Sequence, residues 1–159
     1  MKNLSYLPFF ALLVISYTDK KQDIKAEKSM TENILEHTTP TLKGTWELKG
    51  FYNYRNNDVV DSFSNNTISR QIKMFSKSKV MWCKLIKQDS TEYFGYGNYK
   101  IEDDMLIEVL DFGSNFMNQV IAERKEFKFK LKIHKDSFEQ IEFDEDGNKV
   151  YSENYIRIE

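Results

Sequence analysis

One cysteine, two prolines and six glycines among 159 residues exclude several classes of protein. A single thiol, Cys83, cannot close an intramolecular disulfide, so the fold must rest on its core. No histidine or helix start stands near Cys83 to activate it, and it reads as a small apolar strand residue. So few prolines and glycines exclude a low-complexity chain. The formal net charge of −2 carries neither the basic excess of a nucleic-acid binder nor the acidic block of a solvating tail. There is no Ser/His/Asp set, no metal-ligand constellation and no cofactor motif, so no cofactor is expected. His37 and His134 each lack a second ligand nearby. The glycines of Tyr93-Phe94-Gly95-Tyr96-Gly97 are not followed by the Lys-Ser/Thr and helix start of a phosphate loop.

Large aromatic side chains are plentiful instead: twelve Phe, nine Tyr and two Trp. They favour strands and supply large buried surfaces. A body of about 120 residues buries roughly two-thirds of its unfolded surface, enough for one core without staples.

The chain divides into three parts. Residues 1–16 read as an export signal, with Lys2 as the positive region and an apolar run from Leu4 to Ile15 that is too short for a membrane span. Leu13-Val14-Ile15-Ser16 resembles a bacterial lipobox, but Tyr17 stands where the lipid-carrying cysteine belongs. Two outcomes fit: release by ordinary cleavage, or a copy that differs from lipidated relatives. The expected location is outside the cytoplasm, in the periplasm or cell envelope or secreted. Residues 17–40 form a charged linker, with a capping box at Ser29-Met30-Thr31-Glu32 that allows a short helix over 30–37. Residues 41–159 form the folded domain.

That domain opens on Thr41 to Tyr54, where Trp46, Leu48, Tyr52 and Tyr54 share one parity around Gly50, the period-2 pattern of a half-buried strand. Asn56-Asn57-Asp58 and Ser62 to Asn66 are turn chemistry, with Val59 and Val60 a strand end between them. Further strands follow over Thr67–Ser76, Lys79–Lys87, Thr91–Glu102 and Met105–Phe112. In the first of these Ile68, Ile72 and Met74 share a face with Arg70; the second is apolar on both parities and reads as covered on two sides. Gly95 and Gly97 predict a bend or bulge. Gly113 to Ala122 lacks alternation and predicts a loop with a short helical turn, a natural lid over a barrel mouth. Phe127, Phe129, Leu131 and Ile133 alternate with Glu126, Lys128, Lys130 and Lys132, a strand with one solvated face. Strands over Ser137–Glu145 and Lys149–Ile158, joined by an Asp146-Gly147-Asn148 turn, complete the count. Eight short strands at about 12-residue spacing predict an all-β domain: an antiparallel up-and-down barrel closed on itself, which removes its sheet edges.

Gly44-Thr45-Trp46 near the start and Arg157 in the last strand resemble the lipocalin-like (calycin) proteins. Val80-Met81-Trp82, Tyr96-Gly97-Asn98-Tyr99, Glu108, Gln140 and Glu153-Asn154-Tyr155-Ile156-Arg157 extend the resemblance to small bacterial lipocalin-like lipoproteins of unknown function. The sequence departs from them at Tyr17 and at Tyr155, where such proteins commonly carry tryptophan. The resemblance implies that the Arg157 guanidinium lies across the Trp46 indole and closes one end of the barrel.

With Arg157 inward, Tyr155 and Glu153 point inward too, because strand side chains alternate. A carboxylate inside a barrel is costly unless paired or hydrated. Two readings stay open. One is a polar plug in which Glu153 pairs with Arg70 or Arg157. The other is a hydrated pocket with Arg70, Glu108, Gln140, Glu153 and Tyr155 as polar anchors and Trp82 and Tyr99 as walls. The first predicts a filled envelope module that contacts protein through outward residues such as Ile156 and Ile158. The second predicts a non-enzymatic binder of a small, partly apolar molecule. Glu108 and Glu153 as a catalytic carboxylate pair form a third and weaker reading. No nucleic-acid partner is expected, and any membrane contact would come through the signal segment or a lipidated relative.

Overall fold

The computed structural model describes residues 40–64, 69–88 and 90–159. The signal segment, the linker up to residue 39 with its capping box and His37, and the strand residues Thr67 and Ile68 lie outside the described residues.

Nine strands and one helix are described: β1 (Gly44–Arg55), β2 (Asp58–Ser64), β3 (Ser69–Phe75), β4 (Lys79–Ile86), β5 (Thr91–Glu102), β6 (Met105–Gly113), α1 (Asn115–Glu123), β7 (Glu126–Ile133), β8 (Ser137–Phe143) and β9 (Lys149–Arg157). Every pairing is antiparallel, neighbours follow one another from β3 to β9, and β9 pairs back onto β1. The fold is therefore an eight-stranded closed barrel with one additional strand, β2.

β2 exists because β1 outruns β3. β3 pairs only with Gly44 to Glu47 of β1, and the rest of that edge, Gly50 to Arg55, would be left unpaired. The chain turns back through Asn56 and Asn57, both with positive φ (52° and 67°), and covers it. Two left-handed residues make the type I′ hairpin that asparagine favours. Ser62 to Ser64, a turn by composition, are thus strand. Every residue of β2 is exposed, so no buried face stamped an alternation on its sequence.

Two of the sheet's register shifts bear on which side chains face inward. Opposite β9, the register of β1 shifts between Leu48 and Gly50, leaving Lys49 as the extra residue of a bulge. Trp46 and Leu48 are inward before it; Phe51 and Asn53, which pair with Glu153 and Tyr151, are inward after it. Tyr52 and Tyr54 consequently lie on the outer side, against the expectation of one continuous parity; Tyr54 Oη meets Ser152 Oγ at 3.2 Å. The second shift lies between Tyr96 and Gly97 in the pairing of β5 with β6, where the glycines predicted a bulge. A Cβ on Gly97 would overlap the Val109 carbonyl oxygen and stand 2.6 Å from Leu110 Cα. Gly97→Ala should therefore destabilise the barrel by about 1–3 kcal/mol, the usual cost of forcing extra volume into packed backbone. An unchanged denaturant midpoint would remove that reading.

β3 reverses the expected faces. Gln71, Lys73 and Phe75 are buried, whereas Arg70 and Met74 are exposed. Arg70 pairs with Glu47 at 3.2 Å on the outside of the barrel. The apolar parity misleads here because β3 and β4 share an apolar outer strip, Met74 beside Met81 and Ile72 beside Cys83. Nor is β4 covered on both sides: Met81 is 44 % exposed and Leu85 39 %. Phe94, Tyr96 and Phe112 continue the strip, with ring centroids 5.2–6.4 Å apart.

Between β6 and β7 the expected loop is a full helix. Asn118 Oδ1 accepts from the Gly113 backbone N–H at 2.8 Å at the entry to α1, and Met117 is its buried residue. On β7 the lysine row is solvated, with ion pairs from Lys128 to Glu126, Lys130 to Asp104 and Lys132 to Glu139 at 2.8–3.2 Å.

Candidate functional site

The barrel interior is layered, and the lowest layer is aromatic. Trp46 is fully buried; its indole N–H donates to the Leu42 carbonyl at 2.7 Å and its ring meets Phe138 edge-on at 4.9 Å. Phe138 stacks on Tyr155 at 4.6 Å, and Phe75 meets Phe138 and Tyr99 at 5.9 and 4.8 Å. The Arg157 guanidinium lies 3.9 Å from the Trp46 ring centre. Its nitrogens donate to the carbonyls of Thr41 (2.6 Å), Lys43 (2.7 Å) and Lys135 (3.0 Å). The planar fork thus ties two backbone segments together through three carbonyls while its face covers the indole. Arg157 lies on Trp46 at this end of the barrel, the contact that the resemblance implied.

Above it lies a polar layer. Lys73 and Glu108 are both buried, with Nζ 2.6 Å from Oε1. Lys73 also donates to Gln140 Oε1 at 2.8 Å, and its ammonium sits 5.6–5.9 Å from the rings of Phe75, Phe129 and Tyr155. An ion pair, a hydrogen bond and three ring faces together make a buried ammonium tolerable. Among the described residues Glu153 has no cation partner. Its carboxylate accepts from Gln71 Nε2 (3.2 Å), Gln140 Nε2 (2.7 Å) and Tyr155 Oη (2.8 Å). Burial raises the Glu108 carboxyl above its ordinary range; Lys73 opposes the shift and Glu153 adds to it. Burial, with Glu153 beside it, pushes the Tyr155 hydroxyl well above its ordinary range, so it stays a neutral donor.

Above the polar layer the interior opens into a cavity of about 300 Å³. Its floor is Gln71, Lys73, Glu108, Gln140 and Glu153; its walls are Trp82, Leu110, Phe127 and Tyr151. The Trp82 indole occupies the space that a side chain on Gly95 would take. Phe116 and Met117 of α1 form the roof, with Phe116 edge-on to Tyr93 at 5.5 Å. α1 stands at the end of the barrel opposite Arg157, where the predicted lid belongs. A second recess of about 360 Å³ lies where β2 parts from β3, bounded by Leu48, Phe51, Phe63 and Ile86. Lys84 borders both spaces.

The crystal structure of a lipocalin-like protein from Bacteroides uniformis matches this chain with a TM-score of 0.52 at 16 % identity, over 74 % of this chain and 98 % of that one. The fold is lipocalin-like. An uncharacterized protein from Bacteroides eggerthii matches with a TM-score of 0.48 at 16 % identity, over 74 % of this chain and 99 % of its own. No protein-family model and no curated protein matches the sequence.

Within the lipocalin-like barrel, Trp82, Glu108, Gln140 and Glu153 come together at the cavity, and Tyr155 lies just beneath in the same hydrogen-bond layer. Tyr99 does not reach it: its hydroxyl donates to the Ser76 carbonyl at 2.8 Å, at the closed end. Arg70 is outside. One interior cation that sequence reasoning missed is Lys73. Its signal was the alternation Gln71-Lys73-Phe75, masked by a more apolar opposite parity. Neither Glu153 partner expected from sequence, Arg70 or Arg157, is used; glutamines and a tyrosine take their place. Among the described residues no group of three or more His, Cys, Asp or Glu is placed to hold a metal ion.

Proposed function

We propose that this protein is a non-enzymatic carrier that holds a small, partly apolar molecule inside its barrel. The observation that carries the reading is the cavity itself, with a hydrogen-bonded polar floor, aromatic walls and a helical roof. About 300 Å³ is at the small end of ligand pockets, which are mostly apolar with a few placed polar groups. The inner carboxylates favour binding over acid–base chemistry. Glu108 is tied to Lys73, and Glu153 already accepts three hydrogen bonds. The resemblance noted in the sequence makes export a part of this proposal.

The test uses N-phenyl-1-naphthylamine, a neutral dye that brightens in apolar surroundings. Titration should give saturable emission at one site. Trp82→Ala should weaken it at least tenfold, about 1.4 kcal/mol of lost contact. Met81→Lys, on the outer side of the same strand, should leave it unchanged. Absence of saturable emission from the native chain would overturn the proposal. Emission lost in Met81→Lys but kept in Trp82→Ala would instead support the second reading, a protein-contact module. That reading rests on the exposed strip of Met74, Met81, Leu85 and Phe112.

A further inference from the structure

We infer that the cavity selects an anionic ligand, a compact aromatic or short-chain acid whose acid group is bound by Lys84. The inference rests on the cavity reading above and adds the charge of the occupant. Four side chains of formal charge line the cavity: Lys73, Lys84, Glu108 and Glu153. Three are engaged within the protein. Lys73 and Glu108 form the buried pair, and Glu153 accepts from Gln71, Gln140 and Tyr155. Lys84 is the remaining one. It stands on β4 opposite Gln71 and Tyr93, both of which line the same cavity, so it faces inward. It is half-buried, and among the described residues its ammonium has neither an ion-pair nor a hydrogen-bond partner.

The asymmetry decides the sign. An incoming cation would meet Glu153, three of whose roughly four acceptor positions are already taken by donors. An incoming anion would meet an ammonium with three free N–H groups. Depth decides the shape. β4 runs toward the mouth, so Lys84 lies nearer the opening than Trp82, two residues earlier on the same face. Two strand residues span about 6.6 Å, so an acid on Lys84 places its apolar body against Trp82 and Phe127, above the polar floor. The acid stays near the rim, where partial hydration keeps its desolvation cost low. The floor is internally satisfied and the cavity holds about 300 Å³, which disfavours a long chain.

A matched pair of dyes tests this. 1-Anilinonaphthalene-8-sulfonate and N-phenyl-1-naphthylamine share a ring system and differ in one sulfonate. Both are titrated into the full chain, into Lys84→Met and into Lys84→Arg, with folding checked by circular dichroism. The native chain should bind the sulfonate at least tenfold more tightly than the neutral dye, and added salt should shrink that ratio. Lys84→Met should reduce the ratio at least tenfold, and Lys84→Arg should largely keep it. A ratio near one in the native chain, or one that Lys84→Met leaves intact, overturns the inference while the carrier reading stands. If neither dye binds, both fall.

Discussion

Replacing Lys73 with methionine should cost the fold about 3–5 kcal/mol, and adding Glu108→Met to the same chain should return most of the loss. The first change leaves a carboxylate at full burial without its cation, a position where desolvation already outweighs the attraction of Lys73. It also takes from Gln140 Oε1 its donor. The second change removes the stranded charge and fills a similar volume with apolar atoms, which buried pairs often tolerate at no net cost. Chemical denaturation of the two single variants and the double variant measures the coupling. Additive losses would mean that the two groups do not act as a pair. The sign of the pH dependence is fixed as well. Glu108 holds its proton more tightly folded than unfolded, because burial raises its value. Its favourable share of stability is therefore complete at pH below the unfolded value and is lost as pH rises through the folded one. Glu108→Gln should flatten that slope.

Trp46→Ala should be comparably severe, about 3–5 kcal/mol. The indole is completely buried, fills the closed end against Phe138 and supports the Arg157 guanidinium. Truncation leaves a cavity and also removes the surface on which three backbone tethers converge. Arg157→Lys should fall short of wild type, since an ammonium cannot lie flat on a ring while reaching three carbonyls. Midpoints of urea unfolding at constant slope would measure both. A loss under 1 kcal/mol for Trp46→Ala would show that the closed end is not the keystone of the barrel.

The parts of the fold legible in the sequence were those where one face is apolar and the other is not. β7 is the plainest case, with Phe127, Phe129 and Leu131 set against three lysines. Gly147, with φ 81°, sits in a turn that its composition announced. The pairing of Trp46 with Arg157 was legible through a motif at each end of the chain rather than through periodicity. Legibility failed where the interior is polar. On β3 the buried face carries Gln71 and Lys73 while the outer face carries Ile72 and Met74, so the parity rule points the wrong way. It failed again at Lys49, because nothing in the surrounding alternation marks one residue as extra. Trp82, Glu108, Gln140 and Glu153, which the structure places at the cavity, belong to an ordered set of resemblances, and the parity with Arg157 turned Glu153 inward. Lys73 and Lys84 belong to no such set; only side-chain placement shows one engaged and the other without a partner among the described residues.

The bulge at Lys49 governs the composition of the rim. By adding one residue to β1 it offers the barrel mouth a phenyl ring and a carboxamide, Phe51 and Asn53, and sends two phenols to the water side. Hairpin loops can lengthen or shorten between relatives without touching the inner wall. A single codon gained or lost at this place would exchange the inward and outward side chains of half a strand while the outline of the barrel stays the same.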